Sequence, residues 1–223
     1  MNRTPLADRR LPNYSKRDER ANTITHIVGG AAGILILLLA VLISILHKNI
    51  WGLVSGSIYG VCMVLLYTVS SVYHGLKPGY AKKVMQVIDH CTIYLLIAGS
   101  YTPILLTAIR PLYPKTAWLI FAAEWALAAF GAVFTAIDHY RYRKLAMFCY
   151  IGMGWFIIFA LKPTYFALGK EGFLWLLAGG IAYTIGAVLY GIGSKYPSMH
   201  AVFHIFVNFG SLLQAVCILK YVL

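Results

Sequence analysis

Apolar residues run through this chain in long unbroken stretches, and the breaks between them fall at charged residues or at Pro/Gly clusters. A stretch of about 20 apolar residues is long enough to cross the roughly 30 Å hydrocarbon core of a bilayer. Lipid offers the backbone no hydrogen-bond partners, so each stretch must close its own bonds as a helix. The pattern predicts seven helices, at residues 25–46, 51–74, 84–108, 116–137, 145–161, 173–193 and 199–220, the fifth being the shortest. The expected fold class is therefore all-α, a polytopic membrane protein with a seven-transmembrane helix bundle. No repeat with a period of about 20 to 50 residues is visible. Residues 25–223 are thus read as one transmembrane domain behind a basic cytoplasmic tail, residues 1–24. The first apolar stretch lacks an A-x-A-like cleavage site and outruns the core of a signal peptide, so it is read as an uncleaved first helix.

Composition agrees with this reading: 60% of the residues are hydrophobic and only 12% charged, which excludes a water-soluble globule. The 19 basic residues add orientation. Thirteen of them (Arg3, Arg9, Arg10, Lys16, Arg17, Arg20, Lys77, Lys82, Lys83, Arg141, Arg143, Lys144 and Lys195) fall on one side of the predicted spans, and six (Lys48, Arg110, Lys115, Lys162, Lys170 and Lys220) on the other. Basic loops stay cytoplasmic, which places the N-terminus inside and the C-terminus outside. The net charge of +12 follows from this asymmetry and suits anionic lipid headgroups as partners at the cytoplasmic face. Nothing resembles a nucleic-acid module. Cys62, Cys91, Cys149 and Cys217 are scattered through apolar stretches without CxxC spacing, which suggests packing rather than a disulfide framework or a thiolate metal site. The 16 tyrosines and 5 tryptophans suit interfacial anchoring.

With the orientation set, polar residues can be placed by depth. His74 closes the second span three residues before Lys77, and His200 and His204 open the seventh just after Lys195. Asp89 lies six residues after Lys83, about 9 Å into the third span at ~1.5 Å per residue. Three helices thus bring three imidazoles and one carboxylate to one layer of the inner leaflet. In HAVFH, His200 and His204 stand at i and i+4 on one helical face, a spacing that can chelate a single metal. Three neutral imidazoles and a water make a common open tetrahedral zinc site, and the cation offsets the cost of a buried carboxylate. Asp89 would then hydrogen-bond that water, orienting it or taking its proton. Ser70, at i−4 from His74 and one turn deeper, could contact the water or a substrate carbonyl.

The residues themselves leave a second reading open: interfacial histidines without a metal, with Asp89 paired to Lys82 or Lys83. HAVFH is not HExxH, because Ala201 stands at the second position, so a base on the same helix is excluded. His26, opening the first span, is either a fourth ligand or an interfacial residue. His90 points about 100° away from Asp89 around the helix. His139 in a basic loop and His47 on the outer side are expected to lie out of reach. Glu124, near the middle of the fourth span, is expected to face the bundle interior. Pro103 in GSYTP leaves the carbonyl of Gly99 without a donor and predicts a kink.

SSVYH (70–74), IDHCTIYLLIAGSYTP (88–103) and HAVFH (200–204), in this order, resemble the hemolysin III family, the bacterial branch of the progestin and adipoQ receptor superfamily. The stretch ERANTITHIVG (19–29) is similar to the family's opening segment, and the likeness runs from there through the last span. The resemblance implies a seven-helix protein of the bacterial plasma (inner) membrane with a cytoplasmic N-terminus and a Zn2+ ion in the inner leaflet. His74, His200 and His204 match the family's ligands, Asp89 the acid that contacts the zinc-bound water, and Ser70 the serine of the S-x-x-x-H motif. Superfamily relatives include ceramide-cleaving amidases, while the bacterial members are named for haemolytic, pore-forming activity.

The function expected is a zinc-dependent membrane hydrolase of a lipid amide or ester bond, with Asp89 and Ser70 as catalytic residues. The alternatives are a haemolytic pore, a sensor in which zinc only clamps helices, and a proton-coupled transporter built on Glu124 and Asp89. Beyond the inner-leaflet cluster and Glu124 the helices supply few charged residues to line a pore, and a transporter lacks an inverted repeat.

Overall fold

A capping box starts the first helix. Asp18 N–H donates to Ser15 Oγ at 3.1 Å and Ser15 N–H donates to Asp18 Oδ2 at 3.0 Å, satisfying donors that have no partner within the helix. Helix α1 (Lys16–Leu46) therefore begins well before the apolar stretch and carries part of the expected tail with it. The computed structural model describes residues 3–193, 196 and 198–223; Lys195, counted above with the cytoplasmic bases, lies outside them. The helices that follow are α2 (Ile50–Gly75), α3 (Tyr80–Pro103), α4 (Pro114–Asp138), α5 (Arg143–Gly154), α6 (Leu161–Gly193) and α7 (Met199–Tyr221), with no strand among the described residues.

Among the described residues, six helical segments are long and apolar enough to cross a membrane: Lys16–Leu46, Ile50–Gly75, Tyr80–Ile109, Pro114–Asp138, Arg143–Gly193 and Met199–Tyr221. This corrects the expectation of seven separate spans, because the fifth and sixth fall together in one segment of 51 residues. The reason is local. Helix α5 has 12 residues, about 18 Å at ~1.5 Å per residue and too short to cross alone. It runs through a 3-10 turn, Phe156–Ala160, straight into α6 with no polar loop between them. Within α6, Gly169 adopts φ 66° and ψ 176°, a conformation open essentially to glycine alone. Residues on either side of it meet: Trp155 Nε1 donates to Thr184 Oγ1 at 3.0 Å, and the Tyr165 and Phe173 rings are 5.7 Å apart.

Pro103 does not end its helix. The missing donor is absorbed by a π-helical turn, Ile104–Ile109, in which Arg110 N–H reaches back to Leu105 O at 2.9 Å. Helices α1 and α2 approach so closely that a Cβ on Gly60 would stand 2.7 Å from Leu37 Cα, the small-residue packing that bilayer helices use in place of a hydrophobic driving force. Large apolar side chains such as Leu35, Leu119 and Phe148 point outward.

The interfacial reading of the tyrosines needs correction too. Tyr59, Tyr67 and Tyr94 are wholly buried, and their hydroxyls find partners inside the bundle. Tyr67 OH meets Ser211 Oγ at 2.6 Å, Tyr59 OH donates to Ser211 O at 2.9 Å, and Tyr183 OH meets the same Ser211 hydroxyl at 2.7 Å. A phenol away from water is stable only with such a partner. All four cysteines are free thiols.

The two ends of the described chain lie at opposite ends of the bundle. The His47 ring, just after α1, is 2.9 Å from the Leu223 carbonyl. Residues 4–9 pack instead against the end of α4: Thr4 N–H donates to Asp138 Oδ2 at 2.9 Å, and Arg9 Nη2 donates to Ile137 O at 2.8 Å. Lys83 at the start of α3 donates to Ala7 O. The expected tail is thus a strap across this end of the bundle.

Candidate metal centre

The register set at Ser15 puts Glu19, Asn22 and His26, at i, i+3 and i+7, on one face of α1. Opposite them, His74 occupies the last turn of α2, Lys82 and Asp89 the first turns of α3, and His200 and His204 the start of α7. Four imidazoles meet there. Ring centroids are 3.9 Å apart for His26 and His204, 4.4 Å for His200 and His204, 5.1 Å for His74 and His204, and 5.4 Å for His74 and His200. None of the four is more than 9% exposed.

His26, His74 and His204 each bring a ring nitrogen within 4.8 Å of the other two. Zinc with bonds of about 2.05 Å wants nitrogens roughly 3.4 Å apart, so an inward movement on the order of 1 Å would complete the coordination. His74 Nε2 and both nitrogens of His26 are buried without a hydrogen-bond partner. Such atoms are costly unless something binds them, and their chemistry fits a borderline-soft cation. The structure therefore brings His74, His200 and His204 into one cluster and adds His26. At 3% exposure, His26 is not an interfacial residue, because α2 and α7 close over that face of α1.

Asp89 and Ser70 are both buried beside this cluster and line the same cavity. The lysines are not partners of Asp89. Lys82 Nζ contacts Glu19 Oε1 at 2.7 Å and donates to His74 O at 3.1 Å and Leu76 O at 3.0 Å, and Lys83 serves the strap. His90 Nδ1 stands 3.8 Å from Asp89 but donates to Gln86 O at 2.8 Å. Both Asp89 and His90 line a cavity of about 150 Å³, with His26, Ser70, His200 and His204 at the same end. From there apolar walls, including Leu96, Trp155 and Phe203, run between α3, α5, α6 and α7 to Gln214.

Tyr14, at the end of the strap, stacks on His200 with centroids 5.1 Å apart and planes 27° apart. Burial pushes its phenol well above the usual range, so it stays protonated. His139 is expected to lie out of reach of the cluster and does: its ring packs edge-on against His90 at 4.6 Å, outside the four histidines. Its pKa is pulled down to about 3, by burial first and then by the charges of His90 and Arg9. Glu124 is completely buried and neither carboxylate oxygen has a hydrogen-bond partner.

The sequence pattern does not single out Glu19, Asn22 or Tyr14, and the alternative in which Asp89 pairs with Lys82 or Lys83 does not hold, because Lys82 pairs with Glu19. One signal was available for the first two: in E-x-x-N-x-x-x-H, residues 19–26, the polar positions share one helical face.

Comparison with known proteins accounts for nearly all of the chain. Residues 14–215 match the model of the family described as "Haemolysin-III related". The chain is 41% identical over 208 residues to a Bacillus cereus protein named Hemolysin-3, covering 93% of each chain. It is 38% identical over 208 residues to a Hemolysin-3 homolog of Bacillus subtilis, covering 93% of this chain and 96% of that one. The human monocyte to macrophage differentiation factor is 28% identical over 218 residues, or 92% of this chain and 84% of the human one. No solved structure matches the chain significantly. The six apolar membrane-length segments and these matches lead to one conclusion: the chain belongs to the haemolysin-III-related family, as a multi-pass integral membrane protein of the bacterial plasma membrane.

Proposed function

We propose that this protein is a zinc-dependent hydrolase of a lipid amide or ester bond, with its active centre in the cytoplasmic leaflet. One observation carries the reading: buried, unpartnered imidazole nitrogens stand beside Asp89 and Ser70 at one end of an apolar cavity. His74, His200 and His204 would hold the ion, with His26 behind them as the fourth imidazole. Zinc bound there supplies a Lewis acid next to a carboxylate. The remaining work belongs to the chain. Asp89 accepts a proton from the attacking water, its place beside the cluster keeping a negative charge affordable in a dry site. The Ser70 hydroxyl, lining the same cavity, donates to the developing oxyanion. The apolar walls take up an acyl chain and exclude bulk water.

The same reading treats Arg143–Gly193 as two crossings reversed at Gly169, which makes seven in all with the N-terminus inside. Its support is length and position. Fifty-one residues reach about 76 Å as a helix, more than twice the hydrocarbon core, and chain ends at opposite ends of the bundle require an odd number of crossings. The basic residues gathered around the strap and α3 then face anionic headgroups on the cytoplasmic side.

The test is release of free fatty acid from a panel of lipid amides and esters in mixed micelles. Zinc-loaded protein should release it, and Asp89→Asn with unchanged zinc content should not; equal release by both would end the hydrolase reading. A second reading is favoured by the geometry of four imidazoles around one centre. If all four bind, the site is closed and zinc is a clamp, which suits the membrane-lytic role in the names of the Bacillus relatives. Zinc-dependent dye release from liposomes, unaffected by Asp89→Asn, would select it.

A further inference from the structure

We propose that Glu19 is a positioning residue: together with Lys82 it holds the His74 imidazole in the tautomer protonated at Nδ1 and aims Nε2 into the four-histidine cluster. The contact itself is independent of any metal; its consequence for zinc binding rests on the reading above.

His74 Nδ1 lies 2.8 Å from Glu19 Oε2. A carboxylate only accepts, so Nδ1 carries a proton; Nε2, buried with no acceptor beside it, is the nitrogen left with its lone pair. The amide of Asn22, at 3.4 Å from Nδ1, is too far to compete. Without a carboxylate at Nδ1, the ring would be free to carry its proton on Nε2 and present a C–H and a blocked nitrogen to the cluster.

Glu19 would not hold this position alone, because it sits on the first helical turn of α1 and is partly exposed. Lys82 fixes it. The lysine side chain is 3% exposed, and its ammonium contacts the other carboxylate oxygen, Glu19 Oε1, at 2.7 Å and spends its remaining donors on the carbonyls of His74 and Leu76 at the end of α2. Those carbonyls have no partner within the helix and carry the negative end of its dipole, so a cation there is favourable. One lysine on α3 thereby ties the end of α2 to the acid on α1 that orients the histidine on α2. Carboxylates that bind the second nitrogen of a histidine ligand fix its tautomer and raise its basicity, and their loss costs about 10- to 100-fold in metal affinity.

The experiment reads both properties on the full-length protein in detergent. Protein labelled with 15N-histidine and stripped of metal reports the tautomer of His74 by NMR, with the resonance assigned by its loss in His74→Gln. In the wild type His74 should be protonated on Nδ1 and bare at Nε2. In Glu19→Gln and in Lys82→Met this signature should give way to a mixture, and in both variants zinc affinity, measured by chelator competition, should fall about 10- to 100-fold. Glu19→Asp, which keeps the acceptor, should recover part of the wild-type tautomer. An unchanged tautomer in Glu19→Gln that is still folded overturns the proposal whatever the zinc affinity. A wild type that takes up no zinc overturns the metal reading, while the tautomer measurement still decides for or against the Glu19 contact.

Discussion

Truncating the four histidines one at a time gives the sharpest test of the site. Structural zinc sites with four ligands are worth about 10–16 kcal/mol, which divides to roughly 2.5–4 kcal/mol per ligand. At ~1.4 kcal/mol per tenfold change, loss of one ligand should weaken zinc binding by about 10²- to 10³-fold. His74 and His204 stand in every arrangement the geometry allows: they share the cluster with His200, and both belong to the trio whose nitrogens lie within 4.8 Å. His74→Ala and His204→Ala should therefore each lose about 10²- to 10³-fold.

For an open site built on His74, His200 and His204, His200→Ala should fall equally far and His26→Ala should stay within about tenfold, the effect of a residue that touches the ligands without binding the ion. The assay is zinc content by elemental analysis, followed by competition with a chelator of known affinity, on detergent-purified variants that elute as folded monodisperse protein. If His26→Ala loses as much as His74→Ala while His200→Ala does not, the ligand set is His26, His74 and His204. Equal large losses in all four would make the site closed and refute the hydrolase reasoning. Wild-type affinity in His204→Ala would refute the metal centre altogether.

Three further outcomes follow from groups outside the cluster. Glu124 buries two unpartnered oxygens, each worth about 1–3 kcal/mol when unsatisfied, so Glu124→Met should raise the thermal midpoint, and a lowered midpoint would reveal a hidden partner. Arg9 and Asp138 form a buried contact at 4.0 Å, and breaking such a pair costs about 3 kcal/mol or more. Arg9→Ala should therefore speed proteolysis within residues 3–14 while leaving the bundle's melting unchanged; equal cleavage rates would show that the strap is held elsewhere. His139, with its pKa pulled from the usual 6.5 to about 3, stays neutral when folded but takes up a proton when unfolded below 6.5. Stability should fall as pH drops from 6.5 towards 3, and His139→Gln should flatten that slope in a thermal-shift series.

Helical class and depth were legible because they depend on nearby residues alone. The early start of α1 was legible only in part: Ser15 and Asp18 form a standard N-terminal signature, but they lie outside the apolar stretch that hydropathy detects. Lys162–Pro163 and Lys170–Glu171 flank Gly169, so a break in this region was legible; that α5 is only 12 residues long and runs on through a 3-10 turn into α6 was not, because no charged residue interrupts residues 145–161. The buried tyrosines misled for another reason. Their enrichment at interfaces is a tendency of the ring, whereas the fate of each hydroxyl depends on whether a residue such as Ser211, far along the chain, is there to meet it.

By itself the sequence determined that this is a helical membrane protein, and that His74, Asp89, His200 and His204 share one layer near one end of the bundle. Lipid leaves the backbone no alternative to helix, and a fixed rise per residue turns sequence position into depth. Only the tertiary structure decided what lies beside what within that layer. It brought His26 and Glu19 against His74, gave Lys82 to Glu19 rather than Asp89, and laid Tyr14 over His200. Those neighbours depend on how each helix is rotated about its own axis. That rotation is set by packing between segments distant in sequence, such as Gly60 against Leu37 and Ser211 against Tyr59 and Tyr67, which no local pattern encodes.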